Sequence, residues 1–246
     1  MPALEVTSLC KSYGQKQAVR SVSFTIQEGE IYGLMGMNGA GKTTILRMLA
    51  TLLKPDSGDA RIAGHSIVTE ADAVRRHIAY LPDEAGAYRT MTGENYLKFI
   101  AGLYFHDEKE QKACVERGRE ICGLGDALKQ KIATYSRGMT RKLVLARTVM
   151  TRPALAILDE PTSGLDVLNS LDIRNSIRRC ANEYGTAFLL SSHHMQEIST
   201  TADRGAIMKE GQFLAEGTPA ELLAKYDAST LEEAFERAVR GVCHIY

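Results

Sequence analysis

Residues 36–44, GMNGAGKTT, constrain the fold more than any other stretch of this 246-residue chain. An apolar run, IYGLM, stands immediately before them. TTILRMLATLL follows, with Ile45, Met48, Leu49 and Leu52 in phase on one helical face. The unit is therefore a buried strand, a glycine loop and a helix. Glycines at 36, 39 and 41 let the backbone turn and aim successive N–H groups at one point. The start of the helix adds its positive dipole end there. Asn38, Ala40 and Thr44 complete the loop, Lys42 has the reach for terminal phosphates, and the Thr43 hydroxyl suits a magnesium ion. A glycine-rich turn with a surface lysine is the bland alternative. A dinucleotide fold is another, but it needs G-x-G-x-x-G, which this spacing does not offer.

Further apolar runs extend the pattern. ALEVTSL and AVRSVSFTI alternate as short strands around a KSYGQKQ turn, and ARIAGHSI and HIAYLP each read as one strand. From Met91 to about Lys131 the strand signal gives way to helical patterns. SRGMTRKLVLARTVMT continues them, with Met139, Leu143, Ala146 and Met150 on one face and Ser136 as N-cap. ALAILDE and TAFLLSSH are buried strands flanking the helix VLNSLDIRNSIRRCANEYG, where Gly185 is the terminator and Cys180 a small core residue. RGAIMKEGQFLAEG reads as a hairpin, and the remainder as one or two helices. Apolar strands alternating with helices predict an α/β fold with a mostly parallel sheet.

LAILDE ends where a phosphate loop needs a partner. Asp159, at the end of a buried strand, suits a metal ion shared with Thr43. Glu160, one residue on, suits proton abstraction from an attacking water. Two solvated acids at a strand end are the alternative for the pair taken alone.

DEPTSGLD, residues 159–166, resembles the strand end and following loop of ATP-binding cassette (ABC) ATPases, and the other motifs follow in that family's order. Tyr13 matches the aromatic that stacks on adenine. YSRGM, 135–139, stands in place of the signature LSGGQ. Ser163, Gly164, Leu165 and Asp166 match the loop that meets the opposite subunit. SSHHMQE supplies the switch histidine, on His193 rather than His194. The resemblance spans about residues 4–217 and implies a P-loop NTPase core with an N-terminal antiparallel β-subdomain and an inserted α-helical subdomain, about 91–150. Residues 1–217 then form one ABC ATPase domain, and 218–246 a short helical tail. YLPDEAGAYRTMTGENYL and the LEEAF segment are similar to exporter-type ATPase subunits that serve a separate membrane subunit.

The chain departs from the family in two motifs. Arg137 and Met139 replace the first glycine and the glutamine of the signature, while Ser136 and Gly138 are kept. Arg137 either adds positive charge there or faces solvent. Asp83, followed by Glu84, stands where the family has a glutamine near the metal. A carboxylate binds magnesium through oxygen but donates no hydrogen bond when ionised.

The resemblance implies ATP and magnesium as cofactors. It also implies ATP hydrolysis at the interface of two cassettes, in a homo- or heterodimer. One chain supplies Tyr13, the loop with Lys42, Asp83, Asp159, Glu160 and His193. The other supplies Ser136, Gly138 and the Asp166 loop. Closure would drive a polytopic permease subunit from the cytoplasmic face of the cell membrane. Two alternatives remain: a non-transport ABC ATPase acting on ribosomes or DNA, and a nucleotide-binding regulator with little turnover.

Composition narrows the classes. Lysine plus arginine equals aspartate plus glutamate, 30 each, so a broad nucleic-acid footprint is not expected. Cys10, Cys114, Cys122, Cys180 and Cys243 are odd in number and show no CxxC spacing. A disulfide framework or a zinc site is therefore not expected. No apolar stretch approaches the roughly 20 residues of a bilayer span, and the N-terminus lacks the pattern of a signal peptide.

Overall fold

The computed structural model describes residues 2–241. The last five residues of the expected tail, Cys243 among them, lie outside the described residues.

The chain opens with β1 (Leu4–Tyr13) and β2 (Lys16–Ile26), an antiparallel pair. They are long strands rather than short ones, and they run into the stretch expected as a turn. Irregularities in the register make this possible: Ser8 and Ser21 adopt positive φ, and the extra residues let the pairing continue past each kink. Next come β3 (Ile31–Met35) and α1 (Lys42–Leu49). The helix stops at Leu49, so Leu52 lies beyond it and is exposed, not on the buried face that periodicity predicts. β4 (Ser57–Ile62) and β5 (His65–Ser66) turn ARIAGHSI into a hairpin rather than one strand, because Ala63 and Gly64 both take positive φ. Four strands in the order β2-β1-β4-β5 form the antiparallel sheet.

A short helix, α2 (Ala71–His77), leads to β6 (Ile78–Leu81). The helical region follows as α3 (Gly93–Tyr104), α4 (Glu108–Cys122) and α5 (Arg137–Val149). Thr92, Asp107 and Ser136 cap the three N-termini with their side chains, each accepting from a backbone N–H of the first turn. β7 (Leu155–Asp159), α6 (Val167–Tyr184), β8 (Ala187–Ser192), α7 (Met195–Thr201), β9 (Arg204–Lys209) and β10 (Gln212–Gly217) complete the second sheet. Its order is β10-β9-β3-β8-β7-β6, parallel except for β10.

Successive residues of a strand point to opposite faces, and this sheet is covered on both. Tyr32, Leu34, Leu155, Ile157 and Leu189 face α1 and the antiparallel sheet. Ile31, Met35, Ala156, Leu158, Phe188 and Leu190 face the helices on the other side. That double burial is why IYGLM and LAILD are uninterrupted apolar runs. α8 (Pro219–Lys225), with a capping box from Thr218 and Glu221, and α9 (Leu231–Arg240) close the described chain. Leu222, Leu231 and Ala234 bury themselves in that second core. Among the described residues, no helix is long and apolar enough to cross a membrane.

Candidate functional site

The site lies at the carboxyl ends of the parallel strands, where an open α/β sheet leaves a crevice. β3 hands the chain directly to the loop 36–41. Gly39 and Gly41 take φ of 81° and 111°, a region costly for residues with a Cβ. A Cβ on Gly41 would stand 2.3 Å from the Ala18 carbonyl, so the loop closes hard against β2. Gly41 is also the N-cap of α1. The free N–H groups of the first turn are therefore left open toward the crevice.

Lys42 folds back under this loop. Its Nζ donates to the Gly36 carbonyl at 2.5 Å, and Glu160 Oε1 stands 3.8 Å away. With 6% of its surface exposed, the ammonium loses hydration, and burial lowers its pKa while Glu160 and Asp159 oppose the shift.

Sheet order brings the acids to this loop. β8 lies between β3 and β7, so the ends of all three strands are neighbours. Asp159 sits in register with Ser191 and is nearly fully buried. The Ser191 hydroxyl donates to Asp159 Oδ1 at 2.5 Å, and Thr43 Oγ1 lies 3.4 Å from the same oxygen. Glu160 leaves the strand at a φ of 47°. Its N–H donates to both the carbonyl and the hydroxyl of Ser191. This turn carries Glu160 Oε2 to 2.9 Å from His193 Nδ1. The two atoms are not aligned as a hydrogen bond, and among the described residues neither of these buried atoms has another partner. Glu160 thus stands between Lys42 and His193 with an unsatisfied oxygen. A water, which can donate to it, is the kind of group that satisfies it.

A cleft of about 520 Å³ gathers Tyr13, the loop with Asn38, Gly39 and Lys42 to Thr44, Asp83, Asp159 and Glu160. Tyr13 is half exposed at its rim. Tyr80 also lines it, a contact the sequence did not single out. Ser136 and Gly138 do not line this cleft. Ser136 caps α5, and Gly138 packs against Asn169, where any Cβ would meet the amide at 2.5 Å. Asp166 caps α6 by accepting from both nitrogens of Asn169, which hold its carboxyl below its ordinary range. His194 stacks at a tilt on His193.

Two supporting residues escaped the sequence reading. Ser191 had one signal, its place in SSH at a strand end. Arg141 had none: it is 8% exposed and donates to five backbone carbonyls, those of Pro82, Asp83, Asp159, Glu160 and Pro161.

A family model described as ABC transporter matches residues 19–163. The linearmycin resistance ATP-binding protein LnrL of Bacillus subtilis (strain 168) is 33% identical, over 98% of this chain and 80% of its own length. The daunorubicin/doxorubicin resistance ATP-binding protein DrrA of Streptomyces peucetius is 37% identical, over 93% of this chain and 69% of its own. A solved ATP binding subunit of an ABC transporter superposes with a TM-score of 0.84 at 27% identity, covering 96% of this chain and 99% of that one. Family match, relatives and fold agree: the chain belongs to the ABC transporter family and is one of its ATP-binding, ATP-hydrolysing subunits.

Proposed function

We propose that this subunit powers export through a separate polytopic permease, from the cytoplasmic face of the membrane, as half of a cassette dimer. The observation that carries the reading is the division of the site residues. Lys42, Thr43, Asp159 and Glu160 line one cleft, while Ser136, Gly138 and the Asp166 loop sit outside it. The cleft is half a site, and a second cassette offering Ser136 and Gly138 would finish it. The resistance functions named for LnrL and DrrA support the direction of transport.

The geometry supports a role for each site residue. Tyr13 at the rim suits a stack on the adenine ring. The N–H groups of residues 38–44 and Lys42 suit the phosphates, whose arrival gives the buried ammonium an anionic partner in place of the Gly36 carbonyl. Magnesium fits Thr43 and Asp159, a hydroxyl and a buried carboxylate 3.4 Å apart, with Asp83 at the same cleft. When bound, the metal supplies charge neutralisation for the terminal phosphates. Glu160 holds the unsatisfied oxygen that would take a proton from the attacking water, and His193 orients it. Residues 1–217 act as the cassette, with the helical region 91–132 meeting the permease through the loop near Asp83.

The test is Glu160→Gln. It keeps the shape and removes the base, so phosphate release should fall by about 10²–10⁴-fold. ATP binding should persist, and an ATP-dependent dimer should accumulate on size exclusion. Turnover at the parent rate would remove Glu160 from the base role.

A further inference from the structure

The signature of this chain carries an arginine where the family has a glycine, and that arginine grips the loop beside it. Arg137 is the first residue of α5. Its Nη2 donates to the Ser163 carbonyl at 3.0 Å. The guanidinium covers Gly164 so closely that a Cβ there would stand 2.3 Å from Cζ and from both terminal nitrogens. Gly164 adopts a φ of 67°, so its backbone and its lack of a side chain both suit this contact.

Arg141 stands one turn further along α5, on the same face. It donates to the carbonyls of Glu160 and Pro161 at 2.7 Å and of Asp159 at 3.2 Å. Its other terminal nitrogen reaches Asp83 at 2.9 Å and Pro82 at 3.3 Å. Every partner of this buried cation is a backbone carbonyl. Between them the two arginines hold the carbonyls of residues 159, 160, 161 and 163. Gly138, between the two rungs, receives Asn169 against its bare Cα. One helix face therefore grips the whole segment from the acidic strand end to the SGLD loop.

We propose that Arg137 and Arg141 are positioning residues, a two-rung staple that fixes loop 159–164 to the first turns of α5. Resting on the composite-site reading above, the staple has two consequences. The surface that covers the partner's ATP, made of Ser136, Gly138 and the SGLD loop, is assembled before a partner arrives. Closure then spends less free energy on ordering. The same helix holds the backbone of Glu160, so a displacement of that surface by the partner's nucleotide is felt at the chain's own base.

Arg137→Gly tests this in the full chain, since Arg137 is exposed and its loss leaves the core intact. Amide exchange across residues 160–166, measured without nucleotide, should quicken at least threefold, with residues 38–44 unchanged. In the Glu160→Gln background, the ATP concentration for half-maximal dimerisation should rise at least threefold, while monomer ATP affinity stays the same. Arg137→Lys, which keeps one donor for Ser163, should give intermediate values. Unchanged exchange in Arg137→Gly overturns the staple. Faster exchange with an unshifted dimerisation midpoint overturns its bearing on the partner site. If Glu160→Gln itself forms no ATP-dependent dimer, the composite-site reading falls, and the exchange result still reports on the staple.

Discussion

Ser191→Ala is the most discriminating perturbation of this site, because its cost can be worked from the contacts. Ser191 is fully buried, and its hydroxyl has two partners: it donates to Asp159 Oδ1 at 2.5 Å and accepts from Glu160 N–H at 3.2 Å. The second partner is insured, since Glu160 N–H also reaches the Ser191 carbonyl at 3.2 Å. The first is not, since Thr43 offers that oxygen only a long 3.4 Å contact. The variant therefore loses one hydrogen bond to a buried carboxylate, worth about 1.5–3 kcal/mol. For a chain of this size that is a fall in Tm of roughly 3–12 °C by calorimetry. Metal at Asp159 would replace the missing partner, so saturating magnesium and ATP should recover at least half of the loss. A Tm within about 1 °C of the parent would refute the contact argument, taking about 2–4 °C per kcal/mol as the scale. A full loss that persists with magnesium and ATP would refute Asp159 as the metal carboxylate.

Two further outcomes follow from the same geometry. Lys42→Ala removes a buried ammonium facing the loop carbonyls, and a charge-assisted phosphate contact of about 1.5–3 kcal/mol lowers ATP affinity roughly 10- to 150-fold by calorimetric titration; unchanged affinity would exclude the lysine from the phosphates. Burial pushes the Cys180 thiol from an ordinary 9.0 up to about 12. The folded chain keeps this proton where the unfolded chain releases it, so the stability it contributes is full below pH 9.0 and is lost as pH rises toward about 12. Cys180→Ala should flatten the alkaline fall in unfolding free energy, from denaturant titrations, by at most about 1.4 kcal/mol per pH unit, and an unaltered slope would refute the assignment.

What the linear sequence determined was local. GMNGAGKTT after IYGLM specifies strand, loop and helix, because glycine spacing and apolar periodicity act over a few residues. LAILD is apolar at each position before the acid because both faces of its strand are covered. Local pattern was weaker at edges. It missed α2, extended the buried face of α1 to Leu52, and read the β4–β5 hairpin as one strand, since a positive φ at Ala63 leaves no periodic trace.

Tertiary structure alone decided who meets whom. Strand order is not written in any window of residues, yet placing β8 between β3 and β7 is what puts Ser191 on Asp159 and His193 on Glu160. Arg141 looks like an ordinary helix residue until folding turns it under two loops and surrounds it with five carbonyls. Arg137 stood between two readings in the sequence, added positive charge for the γ-phosphate of the opposite subunit's ATP or contact with solvent. The fold gives it a third, because α5 begins within reach of the Ser163 carbonyl and Gly164 has no side chain to keep the guanidinium away.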